Sequence, residues 1–192
     1  MTRHLSLTVI QEEHQALAAM LRSLSMLLDK ARREQAAPPF DVLRAMMFYV
    51  DEFPERLHHT KESELLFPKL RARCPELKEV LDRLDADHGR GEAEILKLEH
   101  LMLAYEVMGE SRRQPFEDAV KAYIDSYLRH MSIEESDILP AARAHLTEAD
   151  WAELDKAFEA NRDPLTGHQA AEEYKPLFKK IVMSAPAPIG LG

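Results

Sequence analysis

Apolar residues recur along most of this chain at spacings of three and four, and no Val/Ile/Thr-rich run alternates strictly with polar positions. Leu7, Ile10, His14, Leu17, Leu21, Leu24 and Leu28 form the first such stripe, which predicts a helix from about Leu5 to Arg33 with one face turned to a core. Ala36-Ala37-Pro38-Pro39 breaks it, and a second helical pattern opens near Asp41 with Leu43, Met47 and Val50 inward. Pro54 interrupts that pattern; it removes one backbone hydrogen bond and predicts a kink just before His58. The third stripe runs from Glu76 through Leu77, Leu81, Leu84, His88, Gly91, Ile95, Leu98, Met102 and Tyr105, and stops at Gly109 and Ser111. A fourth opens after Pro115 and carries Phe116, Val120, Tyr123, Tyr127, His130 and Glu134 on one face.

Connections of roughly five to ten residues suit antiparallel neighbours. The expectation is an all-α fold, with residues 1–145 forming an antiparallel up-down-up-down four-helix bundle. Beyond it, Thr147-Glu148-Ala149-Asp150 reads as a capping box, with Leu146 and Trp151 as a staple, opening a helix through about Phe158. A last helix is expected from about Gly167 to Met183. These two make residues 146–183 a short C-terminal helical extension packed on the bundle. Residues 184–192 are expected as an extended or frayed tail.

Composition then narrows the function. The 192 residues are enough for one domain with a full core. A net charge of −9, with no clustered Lys/Arg stripe, argues against a nucleic-acid or anionic-membrane partner. No run of 18 apolar residues and no signal-peptide core is present, so the expected location is the cytoplasm. Cys74 is the single cysteine; it allows no internal disulfide and only one thiolate ligand, and its place before Pro75 reads as an incidental loop thiol.

The chemistry lies in histidines on the apolar stripes. His14, His58, His88 and His130 each fall on, or next to, the inward face of a different predicted helix. His58 and His130 are each followed four residues on by a glutamate, Glu62 and Glu134, which places imidazole and carboxylate on the same helix face. One histidine in a core usually satisfies itself. Four of them with two carboxylates are costly to bury unless a metal compensates. Imidazoles as terminal ligands and carboxylates as bridges suit a dinuclear site for borderline metals, iron first among them. Gly91 in a helix interior suggests that something needs room beside His88. His59 reads as an outer or surface residue, Glu135 as solvated, and Tyr105, Tyr123 and Tyr127 as packing residues whose hydroxyls reach a partner. Zinc-protease, phosphate-loop and dinucleotide motifs are absent from the sequence.

An isolated His, then His58-His59-Thr60-Lys61-Glu62-Ser63-Glu64-Leu65-Leu66-Phe67-Pro68, then Asp87-His88, then His130-Met131-Ser132-Ile133-Glu134-Glu135-Ser136-Asp137-Ile138-Leu139-Pro140, resembles the hemerythrin-like, or HHE cation-binding, domain family over roughly residues 4–145. The resemblance implies a four-helix bundle around two non-haem iron ions, which an oxo or hydroxo group could bridge. Such a protein binds or senses O2, NO or peroxide. The resemblance casts His14, His58, His88 and His130 as imidazole ligands, and Glu62 and Glu134 as bridging carboxylates. Where oxygen-carrying hemerythrins have His-x-x-x-His on the third helix, this chain has His88 followed by Glu92, so either Glu92 replaces the fifth histidine or water takes that position. A site richer in carboxylate favours sensing, storage or redox chemistry over reversible oxygen carriage. Two other readings stay open: a di-iron oxidase, peroxidase or nitric oxide-handling enzyme, and a helical adaptor with a structural metal or none. The sequence favours a binding or sensing protein over a turnover enzyme and leaves the oligomeric state open.

Overall fold

The computed structural model describes residues 4–161 and 163–192, apart from the side chain of Glu92. The described residues form helices and connecting turns, with no strand among them. Helix α1 spans Leu5–Arg33, α2 Phe40–Val50, α3 Phe67–Arg73, α4 Lys78–Met108, α5 Arg113–Ile133, α6 Leu139–His145, α7 Glu148–Phe158 and α8 Lys175–Ser184. The bounds of α1 follow its sequence stripe, and Pro38 and Pro39 stand where the stripe ends. Gly109, at φ 80°, closes α4, a conformation that a residue without a Cβ adopts at little cost.

Three stretches among the described residues wind more widely than an α-helix. Asp51–His59, Glu62–Leu66 and Glu134–Ile138 are π-helical, so the backbone bonds reach five residues. The Phe67 N–H donates to the Glu62 carbonyl, and the Leu139 N–H to that of Glu134. Each stretch has a proline inside it or just beyond it: Pro54, Pro68 and Pro140. A proline ring clashes with the carbonyl four residues back and offers no N–H, and widening the turn relieves both problems. The kink expected at Pro54 is thus a local unwinding that continues through the histidine motif.

Two apolar clusters fill the interior. The larger joins Leu17–Leu28 of α1 to α2, the Ile95–Tyr105 part of α4, the Phe116–Met131 part of α5, and Phe178 and Ile181 of α8. The smaller joins Leu7 and Ile10 to α3, Leu81 and Leu84, Ile138 and Leu139, and Trp151, Leu154 and Phe158 of α7. His14 lies between Ile10 and Leu17, His88 between Leu84 and Ile95, and Glu134 between Met131 and Ile138. The ionisable residues therefore form a layer between two dry cores. Cys74 follows α3 as its C-cap, as expected outside a helix, and is fully buried in the smaller cluster.

The C-terminal part packs on the rest. The capping box at Thr147 forms as its sequence predicts, with Thr147 Oγ1 accepting from the Asp150 N–H and Asp150 accepting from the Thr147 N–H. Asp155 of α7 accepts from Ser6 N–H and Oγ at 2.8 and 2.6 Å, and Trp151 stacks on His4 at 4.1 Å. Phe178 of α8 meets Tyr49 and Phe53 edge-on. Two expectations need correction. The last helix starts at Lys175, not Gly167, with Pro176 in its first turn; proline is preorganised for that position. The tail is not extended: Leu191 N–H donates to the Val182 carbonyl at 2.8 Å, Gly192 N–H to that of Ala185 at 3.0 Å, and Ser23 Oγ to that of Pro186 at 3.1 Å. Burial of Ala185 and packing of Ile189 on the larger cluster hold the folded-back segment.

Candidate metal centre

The layer between the cores is built from four elements. Helix α1 supplies Glu13 and His14; the π-helical stretches after α2 supply Glu55, His58, His59 and Glu62. Helix α4 supplies Asp87 and His88, and α5 with the stretch after it supplies Tyr127, His130, Glu134 and Glu135. His14, His58, Glu62, His88, His130 and Glu134, singled out from sequence, converge in one place. Glu92 lies on α4, but its side chain is outside the described residues.

The donor atoms face one another at ion-pair distances, most of them without a hydrogen bond. Glu134 directs Oε2 at His14 Nε2 (3.4 Å) and Oε1 at His130 Nε2 (3.2 Å) and His88 Nε2 (3.7 Å). Glu62 Oε2 lies 3.3 Å from His58 Nε2 and 3.7 Å from His88 Nε2. His88 and His130 bring their Nε2 atoms within 2.8 Å of each other. Glu62 is 0% and Glu134 1% exposed. All four of their carboxylate oxygens, with His14 Nε2 and His58 Nε2, lack a hydrogen-bond partner. Unpaired buried carboxylates cost several kcal/mol each. Two ligands about 2.1 Å from one ion and at right angles stand about 3.0 Å apart, so the spacings fit donors gathered around cations. Two overlapping groups can hold an ion: His14, His58 and Glu62, and His59, Glu62, His88 and His130. Glu62 belongs to both, and Glu134 directs one oxygen at each.

Behind the inward nitrogens stands a row of oxygen partners. Glu135 Oε1 accepts from His14 Nδ1 at 3.1 Å, Glu13 Oε2 from His58 Nδ1 at 2.7 Å, and Glu55 Oε2 from His59 Nδ1 at 3.0 Å. Ser63 Oγ lies 2.8 Å from His88 Nδ1 and itself donates to Asp85 at 2.6 Å. Asp87 Oδ2 faces His130 Nδ1 at 3.6 Å. On His14, His58, His59 and His88 a proton held on Nδ1 by these partners leaves a lone pair on Nε2, the arrangement that orients metal-binding histidines; His130 Nδ1 has no hydrogen-bond partner.

The charges are mutually dependent. Burial opposes a charge on His14, but Glu134 and Glu135 outweigh it and push the imidazole up to about 9. His58 also rises well above the ordinary imidazole value, burial being overcome by Glu62 and Glu13, and His130 rises through Glu134 against its burial. Burial alone would raise the Glu134 carboxyl; His130, His14 and His88 instead hold it well below the usual range. His59 goes the other way, pushed well down by burial and by His88 and His58. A cation entering the layer displaces the protons on the raised imidazoles.

Three residues central to this arrangement escape the sequence pattern. His59, read from sequence as an outer residue, is 6% exposed and stacks on His88 at 4.0 Å. Glu135 is not simply solvated but holds His14. Glu55 explains Gly91: a Cβ there would lie 2.0 Å from Glu55 Oε2. Tyr123 and Tyr127 do reach a partner, both donating to Glu55 Oε1, at 3.2 and 2.9 Å. The spacing of four between Glu55 and His59 mirrors the two His-x-x-x-Glu pairs, and is the signal that could have found them.

A cavity adjoins each side of the layer. One, of about 10 Å³, is lined by Leu17, Phe53, Leu57 and Met131 beside His14 and His58. The other, of about 30 Å³, is lined by Glu55, Arg90, Glu94 and Tyr123 beside His88 and His130. His59 and Tyr127 border both. No helix among the described residues is long and apolar enough to cross a membrane. Comparison with family models matches residues 5–142 to the hemerythrin HHE cation-binding domain. Comparison with curated proteins and with solved structures gives no significant match.

Proposed function

This chain belongs to the hemerythrin HHE cation-binding domain family, and on that premise we propose that it holds two iron ions and offers one of them to a small ligand: O2, NO or peroxide. In this reading His14, His58, His88 and His130 are imidazole ligands, Glu62 and Glu134 bridge the ions, and Glu92 or water takes the remaining position on the third helix. The bundle is read as antiparallel, up-down-up-down, and the setting as the cytoplasm. The observation that carries the proposal is the pair Glu62 and Glu134, buried carboxylates with four unpartnered oxygens placed between two sets of imidazoles. Mixed imidazole and carboxylate donors suit iron among the borderline metals.

When bound, iron supplies an exchangeable coordination position and redox chemistry. The chain's own residues do the rest. Glu13, Glu135 and Ser63 hold the imidazoles in one tautomer. The two apolar clusters keep bulk water from the layer. The cavity beside His14 and His58 has room for about one water-sized molecule, which suits a small ligand. Metal analysis of protein from iron-supplemented cells, with optical spectra taken anaerobically and again in air, tests the reading. About two irons per chain and an oxygen-dependent band are expected. Zinc alone, or no metal after anaerobic reconstitution, would overturn it in favour of a helical adaptor. Sustained turnover with a reductant, rather than one ligand bound per centre, would make the protein an enzyme.

A further inference from the structure

We infer that His59 is a fifth imidazole ligand, completing the cation site of His88 and His130 from the second helical segment instead of the third. The inference rests on the two-iron reading above and concerns which side chain fills the position left there to Glu92 or water.

Three observations lead to it. His59 lies with Glu62, His88 and His130 in one group whose donor atoms are within 4.8 Å of one another, as close as His14 and His58 lie to Glu62. Its Nδ1 donates to Glu55 Oε2 at 3.0 Å, just as His58 donates to Glu13 and His14 to Glu135. The remaining nitrogen, Nε2, is thereby left with a lone pair. Its neighbour there is the Tyr127 hydroxyl at 3.2 Å, but that hydroxyl has one proton and a nearer acceptor in Glu55 Oε1 at 2.9 Å. A cation bound at Nε2 would displace the Tyr127 contact there while the hydroxyl proton keeps Glu55 as its acceptor.

The surroundings are shaped for this role. Glu55 is held by Tyr123 and Tyr127, and Gly91 provides its space, since any Cβ at that position would overlap the carboxylate. A histidine whose only task was to fill the core would not require a buried carboxylate, two tyrosines and a helix-interior glycine to fix one ring nitrogen. Neighbouring residues stand about 100° apart on a regular α-helix, and in the π-helical stretch Asp51–His59 both His58 and His59 are buried. The two ions then differ: one has His14 and His58, the other His59, His88 and His130, and the less substituted ion adjoins the apolar cavity.

The test compares wild type, His59→Ala, His59→Gln and Glu92→Ala. Each full-length chain is loaded anaerobically with iron(II), passed over a chelating resin and measured for metal; cobalt(II) absorption then reports on coordination. Wild type and Glu92→Ala should retain about two metals, whereas His59→Ala and His59→Gln should fall towards one or lose metal to chelator at least roughly tenfold faster. The Gln amide can still donate to Glu55, so this variant remains decisive if His59→Ala does not fold. Two metals with unchanged cobalt spectrum and chelator rate in His59→Gln would overturn the inference while leaving the two-iron reading intact. Loss of one metal in Glu92→Ala alone would overturn it and assign the position to Glu92. No metal in wild type would instead sink the two-iron reading, and this inference with it.

Discussion

The two sides of the metal layer are built from the same residue types and differ in everything around them. The His14 and His58 side faces Leu17, Phe53, Leu57 and Met131, with Glu13, Asn161 and Asp163 at its edge. It is closed by the C-terminal segment, whose Asn161 donates to both oxygens of Glu13 at 3.0 and 2.9 Å and whose Phe158 meets the His58 ring edge-on. The His88 and His130 side faces Glu55, Arg90, Glu94 and Tyr123 and is braced by hydroxyl and carboxylate groups of the bundle itself. The first wall is mostly apolar and the second is mostly polar. The difference teaches that like donor sets can stand in unlike surroundings, one poor in hydrogen-bonding groups and the other rich in them.

The largest expected effect is on what the two sides share. Glu62→Ala or Glu134→Ala removes a carboxylate that both imidazole sets face, so iron content should fall from about two to below one per chain. Metal analysis that finds two irons in both variants would end the shared-carboxylate account. Iron should also raise the melting temperature of the wild type, by up to about 4 kcal/mol of stabilisation when free metal is a thousandfold above its dissociation constant.

Protonation separates the sides next. His14 titrates at about 9 in the folded protein, above its unfolded value of 6.5. The stability it contributes to the metal-free protein is thus fully present below 6.5 and lost as pH rises through 9, on the order of 3 kcal/mol. Glu134 has the opposite sign: its depressed folded value adds stability above the ordinary carboxylate range that is lost as pH falls through that value. His59, also depressed, takes up a proton more readily when unfolded, so it weakens the fold as pH drops below 6.5. Thermal melts of chelated protein should therefore decline between pH 7 and 9.5, and His14→Gln should flatten that limb while His59→Gln leaves it. An identical alkaline limb in all three proteins would break the distinction.

Gly91→Ala probes the polar side alone. The added methyl gains about 1 kcal/mol of helix propensity, but it must displace the Glu55 carboxylate, and overpacking of this kind costs about 1–3 kcal/mol. A net loss of stability with faster metal release from one site is expected in chelator competition; a stabilised variant with unchanged release would show that Glu55 moves without consequence.

Most of the helices and six of the site residues are legible in the sequence because period-3.6 winding carries them: the α1 stripe, the Thr147 capping box, and the histidines that replace apolar residues on stripes. His59 and Glu55 do not follow from the apolar stripes, because both lie in a π-helical stretch where that period does not hold; only their own spacing of four marks them. The prolines at 54, 68 and 140 are visible in the sequence, but a proline announces only that regular winding fails, not whether the chain kinks or widens. The folded-back tail was equally hidden. Its hydrogen bonds are backbone to backbone, or from Ser23 to a carbonyl, and leave almost no side-chain pattern.

Asn161→Ala is expected to have the smallest effect and gives the most selective test of the apolar side. Asn161 touches no donor atom facing the layer; it holds Glu13, which holds His58, and it accepts from Lys61. Losing this link should cost about 1 kcal/mol of stability and weaken one metal site by roughly tenfold at most, with the cobalt signature of the other site unaltered. Equal weakening of both sites would mean that the shared carboxylates transmit the disturbance across the layer, and the two sides would then have to be treated as one unit.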